Sequence, residues 1–152
     1  MSRIHDKLVT VYKKVVLCLV YNQSQILLQL RNLNADIVHP GTWGFFSGTI
    51  DINENPKNAV KRELNEELGI TSFRKLNFVF RHYDSKTKSF YYIYTLKSSM
   101  KKFRLNEGLD LSFFKTHELL KKKKSKKIGK YFNCADPRLM RIFYYKCKKI
   151  IN

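Results

Sequence analysis

Cysteine is scarce in this chain: Cys18, Cys134 and Cys147 are all there is. Three is an odd number, they lie far apart, and no Cys-x-x-Cys pair exists, which excludes a disulfide framework or a cysteine zinc site. Cys18 in a predicted strand and Cys147 in a predicted helix read as buried free thiols. The four histidines are scattered and form no ligand pair at helical spacing. Only six glycines and three prolines are present, and no Gly/Ser/Pro-rich linker or internal repeat divides the chain, so its 152 residues read as one domain, 1–152. Long apolar runs are missing too. The longest, Val15 to Tyr21, is far too short to span a bilayer. The N-terminus has charges but no apolar region of signal-peptide length, so a cytoplasmic location is expected and no membrane is involved.

Acidic residues are also in short supply. Twelve Asp and Glu face thirty Lys and Arg, for a formal net charge of +18. Two explanations stand at this level: a polyanionic partner such as nucleotide, RNA or anionic lipid, or simply solvated lysines. Hydrophobic content of 43% and 14% aromatics exclude a disordered chain.

The few carboxylates are unevenly placed. Gly48 to Ile70 reads GTIDINENPKNAVKRELNEELGI and holds four glutamates. Val60, Leu64 and Leu68 recur every four residues, predicting a helix from Pro56 to Leu68. Asn55 suits the N-cap, Pro56 the first helical position and Gly69 the left-handed C′ position. Glu63, Glu66 and Glu67 share another face of that helix. Stacked like charges destabilise an isolated helix. An all-oxygen anionic cluster calls for a compensating hard cation such as Mg2+.

Elsewhere Val11 to Val20 and Gln25 to Leu30 predict a hairpin through Tyr21-Asn22-Gln23-Ser24. Trp43 to Phe46 reads as a short strand feeding the helix. Further strands are predicted at Phe73 to Phe80, Phe90 to Leu96 and Leu109 to Phe114, with Arg81 to Lys88 as a polar connection. A helix is expected to start at Thr116-His117-Glu118. A last helix opens at Asp136-Pro137 with Leu139, Ile142, Phe143, Cys147 and Ile150 as its buried stripe. Residues 1–10 read as a poorly fixed lead-in. This order predicts an α/β/α sandwich around a mixed sheet.

Gly48, Glu54, Arg62-Glu63-Leu64, Glu66-Glu67 and Gly69-Ile70, at their spacing, resemble the full box of the Nudix hydrolase family. The resemblance implies the Nudix fold over nearly the whole chain. It also implies hydrolysis of a nucleoside diphosphate linked to another moiety, with Mg2+ or Mn2+ bound. By position, Glu63, Glu66 and Glu67 would be metal ligands, and Glu63 or a neighbour the base. Arg62 would pair with a glutamate such as Glu54. Ser47 would offer a backbone carbonyl to metal. The chain departs from the family's usual Pro-Gly-Gly with Phe46-Ser47-Gly48, and has Asp51 and Asn53 where Glu and Gly are common.

Similarity to the MutT-type nucleoside triphosphate hydrolases adds Arg31 as a phosphate contact and Glu107 as a further ligand or base. It also adds Asp136 as a reader of the base edge, a role competing with its reading as a helix N-cap. Phe78, Tyr83 and the aromatics of Phe90 to Leu96 are either base-stacking or core residues. The expected substrate is a small nucleotide: a nucleoside triphosphate or an oxidised form, split to monophosphate and pyrophosphate. The alternatives are a capped RNA end or dinucleoside polyphosphate, and, more remotely, a non-catalytic binding module. RNA would be held by phosphate contacts from Lys121 to Lys127, a run that otherwise reads as a solvated loop or helix end.

Overall fold

The computed structural model describes residues 11–100 and 102–152, so the expected lead-in at 1–10 lies outside the described residues. Strands β1 (Lys13–Asn22) and β2 (Gln25–Leu30) form the predicted hairpin. Gln23 and Ser24 both take positive φ, +46° and +63°, as the tight hairpin turn that matches strand twist requires. The two strands pair only from Val20↔Leu27 to Asn22↔Gln25 and then part.

The gap is filled by β3 (Trp43–Gly44), which pairs with β2, and β4 (Phe46–Thr49), which pairs with β1. The expected single strand Trp43 to Phe46 is therefore broken at Phe45, because its two halves bond to different partners. Helix α1 (Pro56–Leu68) follows, then β5 (Leu76–Asp84) and β6 (Ser89–Lys97). Strand β6 runs parallel to β1, which makes the sheet mixed. After β7 (Asp110–Lys115), antiparallel to β2, a small hairpin joins β8 (Lys123–Lys124) to β9 (Tyr131–Phe132). Helix α2 (Pro137–Ile151) closes the chain.

Two-residue alternation sends the side chains of β1 to opposite faces. Val16, Cys18 and Val20 pack with Ala59, Val60, Leu64 and Leu68 of α1. Leu17, Leu19 and Tyr21 pack with Leu139, Met140, Phe143 and Cys147 of α2. The result is the three-layer α/β/α arrangement. Helix α1 is capped as its sequence predicts: Asn55 accepts from the Asn58 N–H at 2.8 Å, and Gly69 takes φ +66°. Among the described residues no helix is long and apolar enough to cross a membrane.

Four expectations are corrected. Arg81 to Asp84 belongs to β5 rather than to a connection. As an edge strand paired only with β6, β5 tolerates polar residues, and a register shift between Phe78 and Phe80 re-aims them. No helix follows Thr116-His117-Glu118; those three residues form a single 3-10 turn, and Leu120 at φ +75° redirects the chain. Of the solvated loop or helix end expected for the lysine run, the helix end is absent, while Lys121, Lys122, Lys124, Lys126 and Lys127 are exposed. Lys123 turns inward to bond the Phe113 carbonyl at 2.6 Å and Glu118 at 3.2 Å, and Ser125 is fully buried on Asp110. On α2, Ile150 is exposed, while Met140, Tyr144 and Ile151 are buried. The buried face follows the spacing 140, 143, 147, 151, which leaves 150 pointing outward.

Candidate active site

The divergence of β1 and β2 opens the sheet at the point where α1 crosses it. Gln29 occupies the one polar position in the otherwise aliphatic run from Ile26 to Leu30 and faces α1. It is 3% exposed, and its Nε2 donates to Glu67 Oε1 at 3.3 Å. Glu67 is itself 5% exposed, and its second oxygen, Oε2, has no hydrogen-bond partner. Burial pushes this carboxyl up to about 8; Glu63 and Glu107 push the same way, against the Gln29 bond and Arg31. Burial also raises Glu63, against the pull of Arg62.

Arg62 fastens the front of the site. Its Nε and one Nη donate to the two oxygens of Glu54 at 2.8 and 2.9 Å, the bidentate geometry a guanidinium prefers. The other Nη reaches Glu63 Oε1 at 2.7 Å. Hydrogen bonding from Arg62 holds the Glu54 carboxyl down at about 2. Glu54 Oε2 also accepts from the Asp51 N–H at 3.0 Å, so loop and helix are tied through one residue. Gly48 leaves the room that the Glu63 carboxylate occupies. A Cβ there would lie 2.0 Å from Glu63 Cδ and Oε1.

Glu107 arrives from the loop before β7. The Asn106 N–H bonds the Glu67 carbonyl at 3.0 Å, and its side-chain amide bonds the Glu66 carbonyl at 2.9 Å. These contacts satisfy free carbonyls at the end of α1 and pin the loop there. Gly108 turns away at φ +86°, where an added Cβ would sit 2.8 Å from the Leu30 carbonyl. Arg31 comes from the end of β2, its Nε donating to the Val38 carbonyl at 2.7 Å. Burial lowers its pKa, while Glu67 and Glu107 raise it.

These residues line one cleft of about 360 Å3. Glu63, Glu67, Glu107, Arg31, Ser47 and Asp136 all reach it. The rest of its wall includes Leu17, Phe45, Tyr91, Leu139, Met140 and Phe143, which belong to the core cluster on the α2 side or pack against it. A lining that is charged in part and apolar in part suits a ligand with an anionic tail and a flat head. Glu66 does not line the cleft; its side chain is half exposed, 3.5 Å from Arg62. Asp136 is committed to capping, its Oδ1 accepting from the Arg138 and Leu139 N–H groups at 3.1 and 3.2 Å. Of the aromatics expected to stack or pack, Tyr91 reaches the cleft, Tyr94 is core, and Phe78 and Tyr83 are exposed away from it.

Among the described residues no three acidic, His or Cys side chains are gathered closely enough to form a ready metal cage. The chemistry of the donors nonetheless fits a hard divalent ion: Glu63, Glu67 and Glu107 share the cleft, and one buried carboxylate oxygen lacks any partner. Gln29 is the site residue that sequence reasoning misses. Its only signal is a single amide in the aliphatic run Ile26 to Leu30.

The family profile of the NUDIX domain matches residues 11–133. No curated protein matches the chain in sequence. Several solved structures share its fold. A MutT protein from Methanosarcina mazei is 20% identical over 90% of this chain and 96% of its own, with a TM-score of 0.65. A MutT NUDIX hydrolase from Burkholderia pseudomallei is 22% identical over 68% and 83%, with a TM-score of 0.56. The NUDIX domain of Shewanella oneidensis NrtR, solved with ADP ribose, is 16% identical over 93% and 90%, with a TM-score of 0.68.

Proposed function

The chain belongs to the Nudix hydrolase family, and on that premise we propose that it is a divalent-metal-dependent pyrophosphohydrolase. Its substrate is a nucleoside triphosphate or an oxidised nucleotide, cleaved to the monophosphate and pyrophosphate. The observation that carries this reading is the buried Glu67 carboxyl, its Oε2 unpartnered, in a cleft shared with Glu63, Glu107 and Arg31.

Glu63, Glu67 and Glu107, with the Ser47 carbonyl, would hold Mg2+ or Mn2+; Glu66 sits beside them on Arg62 and outside the cleft. When bound, such an ion neutralises phosphate charge and lowers the pKa of water. The remaining work falls to the chain. Arg31 offers a planar donor fork to the phosphate chain. Arg62 and Glu54 fix the rotamer of Glu63, and Gln29 fixes that of Glu67. In hydrolysis the oxygen of water bonds to phosphorus and the bridging P–O bond breaks. The proton of water passes to a carboxylate of Glu63, Glu67 or Glu107. The apolar wall receives the base, with Asp136 at its edge and its carboxylate already engaged as a helix cap.

The test is a panel of nucleoside triphosphates, nucleotide sugars, dinucleoside polyphosphates and capped RNA, assayed with Mg2+ for released phosphate or pyrophosphate. Fastest turnover on a triphosphate supports the proposal; no turnover on any member defeats it. A second reading makes the substrate a capped RNA end or dinucleoside polyphosphate. The concentration of lysine in the last third of the chain favours it. Activity on RNA would then fall steeply with ionic strength.

A further inference from the structure

From Leu119 to the C-terminus the chain has twelve lysines and arginines and a single carboxylate side chain, Asp136. Several of them stand exposed on α2 and on the segment that precedes it. Arg141, Tyr145 and Lys148 are spaced four and three residues apart and are all exposed, so they form a stripe about 10 Å long on the outer face of α2. Beside the stripe lies a cleft of about 280 Å3, lined by Thr116, Leu119, Leu120, Arg141, Tyr144 and Tyr145. Leu120 brings the lysine segment to the same place: its carbonyl accepts from Cys134 Sγ at 3.6 Å, and the exposed Lys121 and Lys122 follow directly.

Most of this charge is uncommitted. Among the described residues the ion pairs of this region are Lys123 with Glu118, and Arg138 with Asp84 and Asp136. Within that set Arg141, Lys148, Lys121 and Lys122 have none. One aromatic ring stands among them with large exposure, Tyr145 at 64%. Flat rings set in a cationic surface are what single-stranded nucleic acid uses, stacking its bases while phosphates meet the cations.

We propose that this face is a docking surface for single-stranded RNA. Lys121, Lys122, Arg141 and Lys148 contact phosphates without reading sequence, and Tyr145, beside the cleft, stacks a base. The opposite face of α2 supplies Leu139, Met140 and Phe143 to the catalytic cleft. One helix therefore carries both surfaces, and a docking face for RNA deepens the second reading above, on which it rests. Duplex RNA would leave Tyr145 unused, and an anionic bilayer would engage the cations without needing a stacked ring, so the Tyr145 variant below tells the two apart.

The experiment is fluorescence anisotropy with a 12-nucleotide oligouridylate in EDTA, where hydrolysis plays no part, so its failure and that of the catalytic reading are told apart. The quadruple variant Lys121→Ala/Lys122→Ala/Arg141→Ala/Lys148→Ala is expected to bind at least about tenfold more weakly. Its log–log salt dependence should flatten by roughly 2–3, near 0.7 for each phosphate that is no longer neutralised. Tyr145→Ala should weaken binding about tenfold with an unchanged salt slope. Mononucleotide hydrolysis with Mg2+ should stay at the wild-type level in both. A control, Lys57→Ala/Arg74→Ala/Lys75→Ala/Lys86→Ala, removes four exposed cations elsewhere and should change affinity far less. Equal loss in the control overturns the proposal, as does an unchanged salt slope in the quadruple variant. Displacement of RNA from this face by phosphatidylserine vesicles at a lower concentration than competing RNA would overturn it in favour of a membrane surface.

Discussion

Replacing Glu67 by glutamine should separate what this side chain does for the fold from what it does for chemistry. Its carboxyl is pushed from the ordinary 4.5 up to about 8, chiefly by burial. In metal-free protein the unfolded chain releases this proton near pH 4.5 and the folded chain holds it. Stability is therefore fully present below pH 4.5 and falls as pH rises, levelling off above about 8. At 1.36 kcal/mol per unit, the loss between pH 5 and pH 7 comes to about 3 kcal/mol. A glutamine at this position does not titrate, so the variant escapes the loss. Its amide keeps an acceptor for Gln29 but brings N–H groups with no partner, a pH-independent cost of about 1–3 kcal/mol. That cost cancels when the two proteins are compared across pH. Urea denaturation in EDTA at pH 5, 6, 7 and 8 measures the difference. The variant should gain on the wild type by about 3 kcal/mol from pH 5 to 7, while its hydrolysis with Mg2+ is lost. A gap that is flat with pH, or that closes in the other direction, means Glu67 is ionised in the native state and refutes the reasoning.

Other perturbations probe the supports. Gly48→Ala places a Cβ 2.0 Å from the Glu63 carboxylate; that flexible end can move, so the melting temperature should change little while metal affinity falls about 10- to 100-fold, read by calorimetric titration. Gln29→Leu removes the donor to Glu67 Oε1 and should weaken metal binding by a similar factor in the same assay. Asp84, 4% exposed, accepts from both terminal nitrogens of Arg138 at 2.8 and 3.1 Å and joins β5 to the start of α2. Asp84→Asn should cost on the order of 2 kcal/mol in urea denaturation at pH 7. Arg138 holds the Asp84 carboxyl well below its ordinary value, so this stability is present above about pH 4 and fades as pH falls further; the gap should narrow on acidification.

Helix α1 and its acidic face were legible because every local signal there agreed: period, Asn55 cap, Pro56 start, Gly69 stop. The hairpin and the sandwich were legible for the same reason. What escaped depended on partners distant in sequence. Arg81 to Asp84 is polar enough to read as a loop and becomes strand only because β6 lies beside it. Thr116 to Leu120 has the composition of a helix start, but Lys123 bonds back to Glu118 and Phe113 and draws the chain into a hairpin. In the site, spacing along one helix could place Glu63, Glu66 and Glu67 on a face. It could not show that Arg62 holds Glu66 outside the cleft while Glu67 turns under the sheet onto Gln29. Glu107 reaches the same cleft only through the bonds of Asn106 to the end of α1.

The central claim is that the carboxylates of this cleft bind a divalent ion, and electron paramagnetic resonance of Mn2+ titrated into the protein at pH 8 tests it most directly. The account predicts that the free-ion signal is quenched stoichiometrically by the wild type and returns in Glu67→Gln. A free-ion signal undiminished by wild-type protein, or quenched equally by the variant, would contradict it.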